Sequence, residues 1–373
     1  MRCAILTLFL ICARLSADVK FERVPEGGIQ PQIAQEENGT VHMIFYKGDP
    51  LGGNIYYVQR KIGDAGFSKP IRVNQREGSA IAAGTIRGPQ LALGKDGRVH
   101  VAWMGGKGAQ KVNLGGTEAT PMMYARMADD RAEFEPEKAV NVKVSGLDGG
   151  GSLAADAHGN VWVIWHGMPP GVTGEENRLL YVARSADEGK TFAEEFAPRT
   201  PSPGACACCG MKAFATEKGE LYVMFRNLEE STRRPELLLV SKDQGKSFNT
   251  VISEMWEIST CPMSSASIQR TKGGIVSAWE TKGNVQIATI INGKEQKSFS
   301  PPPGPKRKYP FALDNGKGET LLTWVEDAGW GTTGKLGWEI YPRKTNGKAG
   351  NRETRPWSFA QAYVANGDFV IVY

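Results

Sequence analysis

Long hydrophobic runs are scarce in this 373-residue chain, and so is charge of one sign. Past the first 17 residues no apolar stretch approaches the roughly 20 residues that span a bilayer as a helix, which excludes a multi-span helical membrane protein. The 45 Lys and Arg nearly balance the 40 Asp and Glu, for a formal charge of +5, and Arg2 and Arg14 contribute two of those charges. That surplus is too small to predict nucleic acid as a partner. Helical periodicity is missing as well. With 40% hydrophobic and 23% charged residues the chain has ample material for a core, which excludes a disordered chain. What is plentiful is turn material, with 45 Gly and 21 Pro.

The N-terminal MRCAILTLFLICARLSA combines a basic Arg2, an apolar run from about Ala4 to Ala13 and small residues ending at Ala17. It predicts a secretory signal over residues 1–17, and an exported protein, periplasmic or secreted, without membrane insertion after cleavage. A lipid anchor at Cys12 fits less well, because Ile11 is large for the position before a lipidated cysteine. Cys206, Cys208, Cys209 and Cys261 then remain in an oxidising compartment.

From residue 18 onward one phrase recurs: a short apolar strand, a turn with Gly or Asn, and a second strand rich in β-branched and aromatic residues. It begins at Pro31, Pro89, Ser152, Met211, Ser265, Tyr309 and Trp357. Starts lie roughly 45 to 60 residues apart, the period of propellers and arrays. The turns favour positive φ, as at Lys95-Asp96-Gly97 and Asn366-Gly367. Each interval has room for two further strands, so residues 18–373 predict one all-β domain, a β-propeller of six to seven four-stranded antiparallel blades. The lone strand VKFERV at the start completes the last blade and closes the ring.

Two phrases fall between third and fourth strands: Ser185-Ala-Asp187-Glu-Gly189-Lys-Thr191-Phe192 and Ser241-Lys-Asp243-Gln-Gly245-Lys-Ser247-Phe248. The Asp accepts backbone N–H groups, Gly takes positive φ, the hydroxyl closes the loop and Phe packs inward. Degenerate traces occur at Asp64 to Phe67 and Asp129 to Phe134. S-x-D-x-G-x-[ST]-F resembles the Asp-box, or BNR repeat, of the sialidase superfamily of β-propellers. With the hairpins, the resemblance covers essentially the whole chain after residue 17. It implies a ligand site on the axis, at the face opposite the hairpin turns, where the loops leading into the first strands and joining second to third strands gather.

The family binds a sugar carboxylate with arginines, since a planar guanidinium matches a carboxylate in bidentate fashion. It attacks with a tyrosine activated by a glutamate, an aspartate serving as acid/base. Its first arginine stands in an R-I-P phrase, where this chain reads Ile29-Gln30-Pro31. By position in the repeats, Arg87 of Arg87-Gly88-Pro89, Arg226, Arg233 and Arg234 become ligand contacts. Tyr309 becomes the nucleophile, Glu229 or Glu230 its base and Asp49 the acid. His166 and Trp330 reach the same face, Trp330 as a stacking platform. His42, His100 and His158 are assigned structural roles, and Trp103, Trp165, Trp279 and Trp324 the core.

Cys206, Cys208 and Cys209 lead into the fourth first strand and Cys261 into the fifth, which predicts proximity on adjacent blades. Three roles stay open for them: a cross-blade disulfide from Cys208 or Cys209 to Cys261, a thiolate site for a soft metal, or free or redox-active thiols. No other cofactor is expected. Pro301 to Pro305 with Lys306-Arg307-Lys308 predicts a solvated linker with a basic edge. The expected protein is thus a monomeric, exported propeller that binds or hydrolyses a glycan, in particular an acidic sugar. The alternatives are a protein or polysaccharide docking module and a cysteine-based metal or redox site.

Overall fold

Alternation decides how each hairpin is buried. In Val161–Gly167 every residue is buried, but in two directions: Trp162 and Ile164 pack with Val223, Phe225 and Leu239, whereas Val161, Val163 and Trp165 pack with Tyr124 and Leu153. Leu221–Arg226 repeats this, with Leu221, Val223 and Phe225 on one side and Tyr222 and Met224 on the other. A strand buried on both faces belongs to a sheet sandwiched between two others, which is the condition of a blade in a ring.

The computed structural model describes residues 17–169, 171–263, 265–342 and 348–373, so all but Ala17 of the expected signal lies outside the described residues. Seven sheets form seven blades. Blade 1 runs Ile29–Gln35, Val41–Asp49, Gly52–Arg60, Ile71–Arg72, and blade 2 Gln90–Leu93, Val99–Met104, Met122–Arg126, Lys138–Ala139. Blade 3 has Gly151–Ala155, Val161–Gly167 and Leu179–Ser185, its fourth place marked by the single bridge between Val182 and Phe196. Blade 4 runs Lys212–Ala215, Leu221–Arg226, Glu236–Ser241, Asn249–Glu254, and blade 5 Ala266–Thr271, Gly274–Thr281, Asn284–Ile291, Lys294–Phe299. Blade 6 comprises Arg307–Asp314, Thr320–Glu326, Lys335–Tyr341 and Lys348–Glu353.

The ring closes in blade 7, where Gln361–Ala365 and Asp368–Val372 are joined by Val19–Glu22. The N-terminal strand lies parallel to its neighbour, Val19 opposite Phe369 and Glu22 opposite Val372. Blade 7 is short, three strands completed by the N-terminal one as the sequence predicts, and the seam where that strand joins is parallel.

The S-x-D-x-G-x-[ST]-F turns are built alike. Asp187 accepts from the Ser185 hydroxyl (2.6 Å) and from the Thr191 N–H (2.9 Å) and hydroxyl (2.6 Å). Asp243 accepts from Ser241 (2.8 Å) and from Ser247 N–H (2.9 Å) and hydroxyl (2.6 Å). Against the opposing effect of burial, the Ser185 and Thr191 bonds hold the Asp187 carboxyl down at about 2; the Ser247 hydroxyl leads the same effect at Asp243, also about 2. Each turn also anchors a neighbour, for the Trp162 indole donates to the Gln244 carbonyl (3.0 Å).

At the axis the first strands of the blades are stitched by side chains. Ser152 Oγ accepts the Ala213 N–H (2.9 Å), Ser267 Oγ the Ala312 N–H (3.2 Å) and Gln361 Oε1 the Ile33 N–H (2.7 Å). At the centre stands Lys212, whose Nζ donates to Gln32 Oε1 and Gln90 Oε1, both at 3.0 Å, while Gln361 also donates to Gln32 Oε1 (3.0 Å). This plug divides the channel. On the hairpin side is a funnel of about 480 Å³, its mouth crossed by Arg270, which pairs with Glu37 (2.9 Å) and Glu217 (2.5 Å); on the other side is a cavity of about 40 Å³.

Pro302 to Lys306 are exposed, as expected of a solvated linker, but the last two basic residues are not. Arg307 and Lys308 are buried, Arg307 against Asn284 (2.9 Å) and Glu326 (3.4 Å), Lys308 beside Glu280 (3.9 Å). Blade 6 begins two residues earlier than the tyrosine at which the phrase was placed.

Burial lowers the Lys212 ammonium from 10.5 to about 8. The unfolded chain keeps that proton to about pH 10.5, so it binds more protons than the folded chain between the two values, and stability rises with pH across this window by about 3 kcal/mol. Urea unfolding of Lys212→Met at pH 7.5 and pH 10 is expected to lack this increment. An equal rise in both proteins refutes the assignment.

Candidate functional site

The segment Ala80 to Arg87, between blades 1 and 2, crosses the loop-rich end of the axis. Ala80 bridges Gly53 and Gly105, and the Ala82 N–H donates to the Pro50 carbonyl (2.8 Å). Thr85 and Ile86 then reach the far side of the ring, where Ile86 packs with Tyr309 and Val325 of blade 6. Gln30, whose φ of 52° turns it onto the axis, donates through Nε2 to the carbonyls of Ala82 (2.6 Å) and Trp357 (2.7 Å). Where the sialidase resemblance implies an arginine, this glutamine ties the lid to blades 1 and 7.

The lid changes the meaning of Tyr309. The tyrosine, φ 55°, points to the axis but is only 6% exposed beneath the lid, hydrogen-bonded to the Thr85 side chain. Burial pushes its hydroxyl up to about 12. Neither carboxylate expected to serve it is in contact. Glu230 is exposed, its neighbour Glu229 pairing with Arg233 (3.2 Å), and Asp49 Oδ1 caps its own turn by accepting the Leu51 N–H (2.8 Å). The expected trio of Tyr309, Glu230 and Asp49 is thus not assembled, because each lies in a different environment.

The arginines separate in the same way. Arg226 has a side chain with 0% exposure: it pairs with Glu236 (2.9 Å), donates to the Arg234 carbonyl (2.8 Å) and lies over the Trp256 ring. It is a core residue, not the ligand contact its place in the repeat suggested. Burial raises the Glu236 carboxyl to about 8 against the pull of Arg226, and that of Glu280 to about 8 against Lys308 and Arg226. Arg234 is buried, with Glu175 at 3.4 Å and its Nη1 donating to Cys206 Sγ at 3.0 Å, whereas Arg233 lies at the surface.

Arg87 ends the Ala80 to Arg87 segment at the axis, its side chain 13% exposed. Its Nε donates to the Asp148 carbonyl (2.6 Å), Nη2 to Asp148 Oδ1 (2.7 Å) and Nη1 to the Ala83 carbonyl (3.2 Å). The guanidinium carbon lies 5.9 Å from the Trp330 ring centroid. Trp330, on the Asp327 to Lys335 loop of blade 6, is 60% exposed and stands edge-on against Trp357 of blade 7 at 4.8 Å. Residues from blades 2, 3, 6 and 7 meet only at the centre of the ring. They form an open shelf above the lid, aromatic on one side and ionic on the other.

Cys208 is bonded to Cys261 across blades 4 and 5, and Cys206 and Cys209 are buried thiols. His166 packs beside them: Nε2 accepts the Gly149 N–H (3.1 Å), so the proton sits on Nδ1, and a Cβ on Gly149 would clash with the carbonyls of Ala207 and Cys209. It positions the blade 3 loop and touches no open surface. His42 and His100 bond to Tyr57 (2.8 Å) and Tyr124 (2.7 Å) within their blades.

No protein-family model and no curated protein matches the chain. Solved structures do. A protein of unknown function from Dyadobacter fermentans is 14% identical with a TM-score of 0.50, over 84% of this chain and 94% of that one. The Hadza microbial sialidase Hz136 is 13% identical, TM-score 0.52, over 80% and 64%. The Trypanosoma rangeli sialidase in complex with sialic acid is 12% identical, TM-score 0.52, over 83% and 53%. The fold is that of a sialidase-like β-propeller. The chain spans under two thirds of the length of the first sialidase and about half of the second. At these identities the likeness establishes architecture, and the propeller's own residues must supply the chemistry.

Burial, helped by Arg178, lowers His166 from 6.5 to about 4. The unfolded propeller therefore binds more protons as pH falls from 6.5, and about 3 kcal/mol of stability is lost by pH 4. His166→Gln keeps an acceptor for Gly149 and is expected to lose correspondingly less over this range in denaturant titrations. Parallel losses in the two proteins refute the assignment.

Proposed function

We propose that this chain is an exported, glycan-binding propeller whose ligand rests on the axial shelf of Trp330, Trp357, Arg87 and Asp148. The observation that carries the reading is Trp330, a 60% exposed tryptophan held edge-on by Trp357 within reach of an arginine–aspartate pair. An exposed indole costs solvation unless something covers it, and the apolar face of a pyranose fits a flat ring while its hydroxyls seek nearby polar groups. Asp148 can accept from those hydroxyls, and Arg87 keeps N–H groups beyond the three already engaged.

Charge refines the ligand. Asp148 neutralises Arg87 at 2.7 Å, and Arg226 is spent in the core against Glu236, so neither offers an unpaired guanidinium to a sugar carboxylate. The shelf favours recognition through hydroxyls over recognition of an acidic group. Hydrolysis finds little support, since the Tyr309 hydroxyl is covered, Glu230 is exposed at the surface and Asp49 caps its own turn. The two S-x-D-x-G-x-[ST]-F turns fit Asp-boxes by sequence and by hydrogen bonding, and the N-terminal 17 residues fit a secretory leader.

The test pairs two assays on the purified protein. A fluorogenic aryl sialoside is expected to show no turnover. Neutral and sialylated oligosaccharides, titrated against intrinsic tryptophan fluorescence, are expected to bind with preference for neutral chains, and Trp330→Ala to weaken binding tenfold or more, about 1.4 kcal/mol. Turnover of the sialoside, or affinity unaffected by Trp330→Ala, overturns the reading.

A further inference from the structure

The cysteine cluster supplies none of the side chains of the proposed shelf, although Gly149, which packs against the Ala207 and Cys209 carbonyls, follows Asp148 directly in the chain. Three sulfurs come from one four-residue segment: Cys206 Sγ is 3.5 Å from both Cys208 Sγ and Cys209 Sγ, and all three lie within 4.8 Å of one another. A tetrahedral zinc site with metal–sulfur bonds of about 2.3 Å has sulfur–sulfur edges of roughly 3.8 Å. The cluster already approximates one face of that tetrahedron. The fourth cysteine of residues 18–373, Cys261, is bonded to Cys208 and therefore stands at the same place.

We propose that the reduced chain holds one thiophilic d10 cation of the zinc class on Cys206, Cys208, Cys209 and Cys261, and that the Cys208–Cys261 disulfide closes this site. The sulfurs are held rather than merely near. The Cys206 N–H donates to the Arg226 carbonyl (2.9 Å) and the Ala207 N–H to Glu175 (3.2 Å), while Gly149 of blade 3 packs against the carbonyls of Ala207 and Cys209 with no space for a Cβ. Charge is provided for too. Arg234 Nη1 donates to Cys206 Sγ at 3.0 Å and is itself tethered to Glu175, the kind of outer-shell N–H···S contact that orients a thiolate and offsets its charge. Access follows burial: Cys206 and Cys209 are enclosed, Cys208 is partly exposed and Cys261 exposed, so solvent reaches the site from the disulfide side.

The steps balance. A dithiol reductant transfers two electrons and two protons to the Cys208–Cys261 bond and leaves as its own disulfide. The divalent cation then replaces four thiol protons, which pass to solvent. Oxidation by a disulfide of higher potential runs the sequence backwards and ejects the ion. The chain would thus bind metal under reducing conditions and release it under oxidising ones.

Cadmium ion, whose thiolate complexes absorb in the ultraviolet by charge transfer, serves as the probe. The full chain is titrated anaerobically in two states, reduced with a phosphine that is then removed, and unreduced. One cadmium per chain is expected in the reduced state and none with the disulfide intact, a comparison that needs no variant. Cys206→Ser with Cys209→Ser, checked for folding by circular dichroism, is expected to abolish the band. Arg234→Met is expected to weaken cadmium binding roughly 10- to 100-fold with the same stoichiometry. No band in the reduced protein, an equal band in the unreduced protein, or a band that survives in the folded double variant overturns the proposal. The glycan reading is tested separately, on the unreduced chain, so that its failure and the failure of this proposal are distinguishable.

Discussion

A single buried ammonium organises the centre of this ring. Seven first strands converge on the axis at angles that do not allow their backbones to pair, so inward polar side chains must satisfy one another. Lys212 does so for three blades at once, with Gln32 and Gln90 as direct partners and Gln361 joined through Gln32. Among the described residues the ammonium bonds to amide oxygens and to no carboxylate, so its charge is carried by amide dipoles. The cost appears as a depressed pKa and the return as blades locked in register around a narrow centre.

What lies above the plug follows from it. The space of about 40 Å³ left between Lys212 and the Ala80 to Arg87 lid is too small for a sugar, so the axial pit is closed by the protein's own chain. Tyr309 is consumed in that closure and Gln30 fastens it. Arg87, Asp148, Trp330 and Trp357 lie outward of that closure, with Asp148 and Trp330 the more exposed of them. Ionic groups at the tops of blades 4 to 6 are spent internally in the same spirit, Arg226 on Glu236 and Lys308 beside Glu280. The loop-rich end of this propeller is thus closed at the axis by its own chain, and the proposed shelf lies above that closure.

The blades were legible because hairpin alternation and turn chemistry are local, and seven repetitions leave little room for another fold. The turns around Asp187 and Asp243 were legible for the same reason: four residue types within eight positions determine their hydrogen bonds. The lid was not. Ser79 to Ile86 is a run of small and apolar residues without a period, and only its distant contacts with blade 6 give it a role. Arg226 was misplaced because a strand-end arginine can turn to the axis or to a neighbouring blade, and the decision rests with Glu236, ten residues on. Lys212 left a trace that went unread. It occupies the second position of its phrase, where Pro31-Gln32 and Pro89-Gln90 are also polar, a pattern that marks the axis.

The parallel seam in blade 7 bears on how the protein comes to exist. Val19 meets Phe369 across a separation of 350 residues, the longest loop this chain can close, and closure entropy grows with loop length. Each hairpin can form as its residues become available, but the clasp needs both ends of the chain in one place. A chain crossing a membrane in extended form would therefore carry its first strand unpaired until the last had followed. Without Asp368–Val372 in place, Val19–Glu22 has no strand to pair with and the ring stays open at this seam.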